Sequence, residues 1–198
     1  MALLRLQILI IAFALMPIAA FSESQEHGHH SSPYAGFEKR EIKSLSDQDI
    51  EELRSGGGWG LALPAELNGR PGPKHLLELR DELGLSASQV DLIAASYDGM
   101  RKSAVLAGER FIAAEAALSQ AFTNPDLSES ELQVLLAEAA AARADLRFVH
   151  LSEHLATTKI LSDTQIEKYS VLRGYADDPC AKVPDGHNPK MWRLHNGC

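Results

Sequence analysis

Between Ala87 and about Phe122 the apolar positions Val90, Ile93, Ala94, Tyr97, Met100, Ala104, Ala107, Phe111, Ala114 and Leu118 recur at spacings of three and four. That is the period of a helix with one apolar face, and at about 1.5 Å per residue it predicts an element of roughly 50 Å. Gly99 and Gly108 interrupt it, each costing about 1 kcal/mol against alanine in a helix interior, so a bend or a close helix contact is expected near either. Thr123-Asn124-Pro125-Asp126 reads as a turn. A second long helix follows, through the alanine-rich stretch Leu132 to Arg147 and on through Phe148, His150, Leu151, His154 and Leu155 to about Lys159. A short link obliges the second helix to return along the first, so the pair is an antiparallel hairpin.

The helix starts are marked by a hexapeptide, Leu-Ser-x-x-[Gln/Glu/Asp]-[Val/Ile/Leu], that occurs at Leu45–Ile50, Leu85–Val90, Leu127–Leu132 and Leu161–Ile166. In each copy the serine can cap the third amide of the helix while the acid or amide reaches back to the serine N–H. The flanking apolar residues form a hydrophobic staple. The copies predict a short helix over Asp47 to Arg54, stopped by Ser55-Gly56-Gly57-Gly58, the two hairpin helices, and a last helix bearing Ile166, Tyr169 and Leu172 that ends near Arg173-Gly174. Pro73 suits the first turn of another helix, through Leu76, Leu77, Leu79 and Leu83, with Gly84 just past its end. From Trp59 to Pro73 glycine and proline punctuate an apolar segment, which reads as an ordered strap over the helices with one helical turn near Ala65. No strand-like alternation of useful length appears. The expected fold is all-α, a long antiparallel helical hairpin with shorter flanking helices, elongated and cradle-like. One layer of helices leaves apolar surface exposed or buries it by dimerising, which makes a binding protein, and a homodimer, the leading expectation.

The chain opens with Arg5, an apolar run from Ile8 to Phe21 and a break at Pro17, which reads as an export signal cut after Ala20 or Ser22. The run is shorter than the roughly 20 residues a spanning helix needs, so no membrane anchor is expected after cleavage. The organisation is then a signal peptide over 1–22, a disordered histidine-containing arm over 23–36, a helical domain over 37–175 and an irregular cysteine-containing tail over 176–198. The 198 residues include 27 acidic and 19 basic side chains, a formal net charge of −8. That balance lacks the basic footprint expected for nucleic acid or anionic lipid. The two cysteines, Cys180 and Cys198, both lie in the tail. In an oxidising compartment a disulfide is expected, closing a loop of roughly 18 residues for about 3 kcal/mol of constraint on the unfolded chain. Metal ligation and an intermolecular bridge are the alternatives.

His150 and His154 stand four apart on a predicted helix, so both imidazoles leave one face and could share a metal, with His75 a third ligand if the fold brings it near. Zinc would need two further ligands, or one and a water, and Glu153 is turned about 100° away on the helix. The alternative is that these are interface or half-buried histidines. His27, His29 and His30 form a tract that binds transition metals loosely. Cys180, His187, His195 and Cys198 carry the donor types of a zinc site in a spacing that matches no compact finger. There is no Gly-x-Ser-x-Gly, no phosphate-cradling loop and no local nucleophile–base pair, so no enzyme is expected.

Two of the four boxes, Leu85–Gln89 and Leu161–Gln165, keep glutamine at the last position. They resemble the paired LTxxQ motifs of the Spy/CpxP family of periplasmic helical proteins, with serine for threonine, and the resemblance covers about Leu76 to Tyr175. It implies a cradle-shaped, often dimeric, ATP-independent chaperone or damper of envelope-stress signalling that binds unfolded envelope proteins or a stress sensor in the periplasm. No cofactor is required for that role. A related branch contains zinc-responsive and heavy-metal-sensing proteins, whose His-x-x-x-His pattern resembles His150 and His154. The alternative function is accordingly a heavy-metal sensor or buffer for zinc or another transition metal. Leu85, Ser86, Gln89, Leu161, Ser162 and Gln165 are read as structural. The chain departs from the best understood members in its acidity, its strap and its cysteine tail.

Overall fold

The computed structural model describes residues 32–196 and 198. The export signal and the arm with His27, His29 and His30 lie outside the described residues. The chain divides into a unit ending at Ala35 and a second unit, Gly36–Cys198, which holds every regular element. Among the described residues there are seven α-helices, a 3-10 turn at Phe37–Lys39 and no strand. The helices are α1 (Asp47–Arg54), α2 (Leu63–Glu66), α3 (Pro73–Glu78), α4 (Ala87–Ala121), α5 (Glu129–Thr158), α6 (Asp163–Leu172) and α7 (Pro189–His195). None is long and apolar enough to cross a membrane.

All four hexapeptides form complete capping boxes, at Ser46, Ser86, Ser128 and Ser162. The two with glutamine do more. Gln89 Oε1 accepts from its own Ser86 N–H at 2.9 Å and Gln165 Oε1 from Ser162 N–H at 3.0 Å. Each amide nitrogen also donates across to the other oxygen, Gln89 Nε2 to Gln165 Oε1 at 2.9 Å and Gln165 Nε2 to Gln89 Oε1 at 3.2 Å. Gln89 Nε2 reaches the Ile160 carbonyl at 2.9 Å and Gln165 Nε2 the Gly84 carbonyl at 3.5 Å, in each case the residue just before the other box. A carboxylate accepts but cannot donate, so only an amide can cap its own helix and clasp its neighbour at once. The isolated boxes at Ser46 and Ser128 use Asp49 and Glu131.

Around the α4–α5 hairpin the short elements close two cores. The first joins Ile42, Leu45, Leu53 and Leu61 to Ala104, Ala107, Phe111 and Ile112 of α4 and Leu146 of α5. Gly108 lets α1 sit directly on α4, since a Cβ there would lie 2.7 Å from the Leu53 carbonyl oxygen, whereas Gly99 faces open space. The second core, Leu76, Leu83, Ile93 and Tyr169, ties α3 and α6 to the start of α4. The helix expected from Pro73 through Leu83 stops at Glu78. The chain then turns, with Leu85 N–H on the Arg80 carbonyl at 3.0 Å and Gly84 at φ +62°, which brings Leu85 back onto the same core. None of residues 113–138, the far end of the hairpin, is buried.

The tail is not irregular throughout. Asn188 accepts from the N–H groups of Lys190 and Met191, and Pro189 occupies the first turn of α7 with its fixed φ, so an Asn-Pro pair starts a helix there. Trp192 Nε1 donates to the Pro179 carbonyl at 2.8 Å, and Cys180 and Cys198 are joined as a disulfide. With both sulfurs bonded to each other, Cys180, His187, His195 and Cys198 do not form a zinc site.

Candidate functional site

The strap from Trp59 to Pro73 is pinned at both ends. Trp59, at φ +43° between two glycines, is held in this left-handed conformation by its side chain and its amide. Its Nε1 donates to Asp49 Oδ1 and its N–H to Glu52 Oε1, both at 2.8 Å, while the ring packs 5.5 Å from Phe111 and lies 5.3 Å from the Arg143 guanidinium carbon. At the other end α5 grips the backbone: His154 Nδ1 donates to the Arg70 carbonyl at 2.6 Å and Thr157 Oγ1 to the Pro71 carbonyl at 2.7 Å. Because a carbonyl only accepts, Nδ1 carries a proton, and the other ring nitrogen of His154 is Nε2. That atom packs against Gly72, where an added Cβ would lie 2.5 Å away.

Between these pins the single acid of α2, Glu66, is buried. Tyr169 donates a short hydrogen bond to its Oε1, Tyr175 donates to the same oxygen at 3.3 Å, and Arg173 Nε stands 3.5 Å from it. His154 Nδ1 is 3.9 Å from Oε2, which has no hydrogen-bond partner. Burial first, then the hydrogen bond and charge of Glu66, push the Tyr169 hydroxyl far above the ordinary phenol range, so it remains a donor. Burying a carboxylate is unfavourable unless donors or counter-charge attend it, and here two phenols donate to Oε1 while the Arg173 guanidinium supplies positive charge. The cluster joins strap, α5 and α6.

Beneath the strap lies a cleft of about 630 Å³, walled by Trp59, Tyr97 and Met100 and floored by Glu66, His150 and His154. His75 also lines it. The three histidines named from the sequence therefore share one cleft, and each is engaged separately. His75 Nδ1 pairs with Glu78 at 2.6 Å, a contact that lowers the Glu78 pKa, and His154 holds the strap. His150 is buried with Nε2 unpartnered; burial first, then the neighbouring His154, hold it below the ordinary imidazole range, against the Gly57 backbone and Glu52. Among the described residues no three His, Cys, Asp or Glu side chains are gathered as a metal centre requires. Sequence reading missed Glu66, Tyr169, Arg173 and Tyr175 as a cluster. The one available signal was a lone acid inside the apolar run Leu61–Leu67.

No protein-family model, curated protein or solved structure matches this chain.

Proposed function

We propose that this is a non-catalytic periplasmic binding protein that shields apolar segments of other protein chains, unfolded envelope proteins or a stress sensor, along its helical hairpin. The observation that carries the reading is apolar surface left outside both cores: Leu92 and Leu106 on α4, Phe122 at the turn, Val134 and Phe148 on α5. An apolar groove of about 500 Å³, with Ala121, Leu127, Val134 and Leu135 in its walls, lies at the hairpin tip. Single exposed apolar residues are ordinary, but several large ones on both helices of one pair offer the chemistry of a protein contact. Binding of this kind is reversible and needs no nucleotide. The test is aggregation of a reduced client protein, followed by light scattering with the purified protein in several-fold excess. Suppression is expected, weakened by Leu106→Asp with Phe122→Asp; an unchanged aggregation rate with the parent protein overturns the reading.

A second reading, a metal-responsive sensor or buffer, is favoured by the unpartnered Nε2 of His150 one helical turn from His154. It requires Gly72 to withdraw from His154. Titration with zinc, copper, nickel and cobalt, compared with His150→Ala/His154→Ala, tests it, and retention unchanged by the double substitution removes it.

A further inference from the structure

Residues 111–142, which lead from the end of α4 through the turn into α5, hold the acids Glu115, Asp126, Glu129, Glu131 and Glu138 and no lysine, arginine or histidine. Lys43, whose N–H meets Ser119 Oγ at 3.3 Å, turns its ammonium away onto the Glu38 and Arg40 carbonyls at 3.0 and 2.6 Å. The carboxyl end of α4, the negative pole of that helix, opens onto the same tip with no basic residue in its last turn. Two of the acids belong to the apolar groove there. Glu131, Val134, Leu135 and Glu138 stand at i, i+3, i+4 and i+7 on α5 and all four line it, so one helix face presents two apolar side chains between two carboxylates. The carboxylates lie two turns apart, about 10.5 Å along the axis. Ala121 and Leu127 complete the apolar wall, and Val134, Glu131 and Glu138 are all exposed.

We infer that this tip docks a cationic amphipathic helix of another protein, one bearing two lysines or arginines seven residues apart with an apolar pair midway between them. Such a helix is the complement of the α5 face. Laid along the groove, it seats its apolar pair on Val134 and Leu135 while its two cations reach Glu131 and Glu138. A neutral segment of equal apolarity gains the same burial without the charge pairing, and an acidic one meets the repulsion of a surface that carries one sign only. Apolar contact therefore holds the partner and charge selects it. Salt at about 0.1 M screens exposed charges beyond about 10 Å, so the selection is sharpest at low ionic strength.

The docking rests on the reading of the hairpin as a protein-contact surface and names the chemistry of the partner at its tip. Fluorescence anisotropy with three labelled helical peptides of equal length tests it: one built on Lys-x-x-Leu-Leu-x-x-Lys, one with glutamate for lysine, one with serine for leucine. The first should bind the purified protein about tenfold more tightly than either of the others at low salt, and lose affinity as salt is added. Glu131→Gln with Glu138→Gln, which keeps an acceptor for the Ser128 cap, should weaken that binding about tenfold with unchanged helicity. Glu82→Gln with Asp91→Asn, which removes as much charge from exposed positions outside the tip, should leave it unchanged. Equal affinity for the lysine and glutamate peptides, equal affinity for the leucine and serine peptides, or a rim variant that binds no more weakly than the Glu82/Asp91 variant overturns the inference. Suppression of client aggregation with no preference among the peptides refutes the cationic partner and leaves the proposed function standing; rim-dependent peptide binding by a protein that suppresses nothing does the reverse.

Discussion

The two ends of the hairpin are built from similar helix and put to opposite use. At the base, Ile93 to Ile112 of α4 and Ala139 to Thr157 of α5 are surrounded by α1, the strap, α3 and α6, and His154 and Thr157 hold the strap's carbonyls while His150 Nε2 stays unpartnered. At the tip, residues 113–138 hold no fully buried side chain, Ala116 alone of them packing on the first core, and leave Phe122, Val134 and Leu136 in solvent. The difference teaches that the tip offers surface alone, whereas the base combines buried cores with exposed apolar side chains such as Leu106 and Phe148 on its outer sides. Both cores lie at the base, and the tip's ties to the rest of the chain are few, with Ala116 on the first core and Ser119 and Glu115 bonded to Lys43 and Ser44.

Substitution at the two ends breaks the comparison most directly. Phe111→Ala should cost about 3–5 kcal/mol in urea denaturation, through lost burial plus the cavity left among Leu53, Trp59 and Leu146. Leu136→Ala, at the tip, should stay within roughly 0.5 kcal/mol; a tip cost comparable to the base would mean that the tip is packed after all. Next in size is Glu66→Ala, expected to cost about 3 kcal/mol because it leaves the buried Tyr169 hydroxyl without its acceptor and Arg173 without its ion-pair partner. Glu66→Gln, which keeps an acceptor oxygen, should cost less than half as much.

The caps sharpen the contrast further. Replacing Gln89 and Gln165 together by glutamate sets two carboxylates in contact and deprives the Ile160 and Gly84 carbonyls of donors, a loss of about 2–4 kcal/mol at neutral pH. Part should return below about pH 5, when one carboxyl regains a proton. At the isolated cap of α5, Glu131→Gln should leave stability nearly unchanged, because a glutamine oxygen still reaches the Ser128 N–H. The smallest effect is a pH slope. With its pKa lowered by burial, His150 takes up a proton less readily in the folded chain than in the unfolded one. Stability from the neutral imidazole is therefore complete above about pH 6.5 and declines as pH falls below it. His150→Gln should flatten that part of the stability profile, and an unchanged slope would place its origin elsewhere.

Periodicity and capping chemistry made the hairpin, α1 and α6 legible because both signals are local: three-four spacing needs only one helix, and a box needs only six residues. The clasp between Gln89 and Gln165 was half legible. Glutamine in place of an acid set two boxes apart, while the partner of each amide, 76 positions away, follows only from how α6 returns to the start of α4. The cleft was less legible still. His75, His150 and His154 were named from residue type and spacing, but Glu66 came from a strap whose course depends on Trp59 and on carbonyls of Arg70 and Pro71, and backbone acceptors leave no mark in a sequence. α7 was overlooked because a seven-residue helix has too few turns to show a period, although Asn188-Pro189 announced it.

The glutamine clasp also bears on the order in which the chain folds. α4 and α5 are neighbours in sequence and can zip from their turn, whereas the clasp joins residues on either side of the whole hairpin and closes only once α6 has docked. Its bonds should be absent from the folding transition state, so weakening them should leave the folding rate nearly unchanged and accelerate unfolding. On that account the two amides act as a late fastener, setting how long the folded molecule persists more than how quickly it forms.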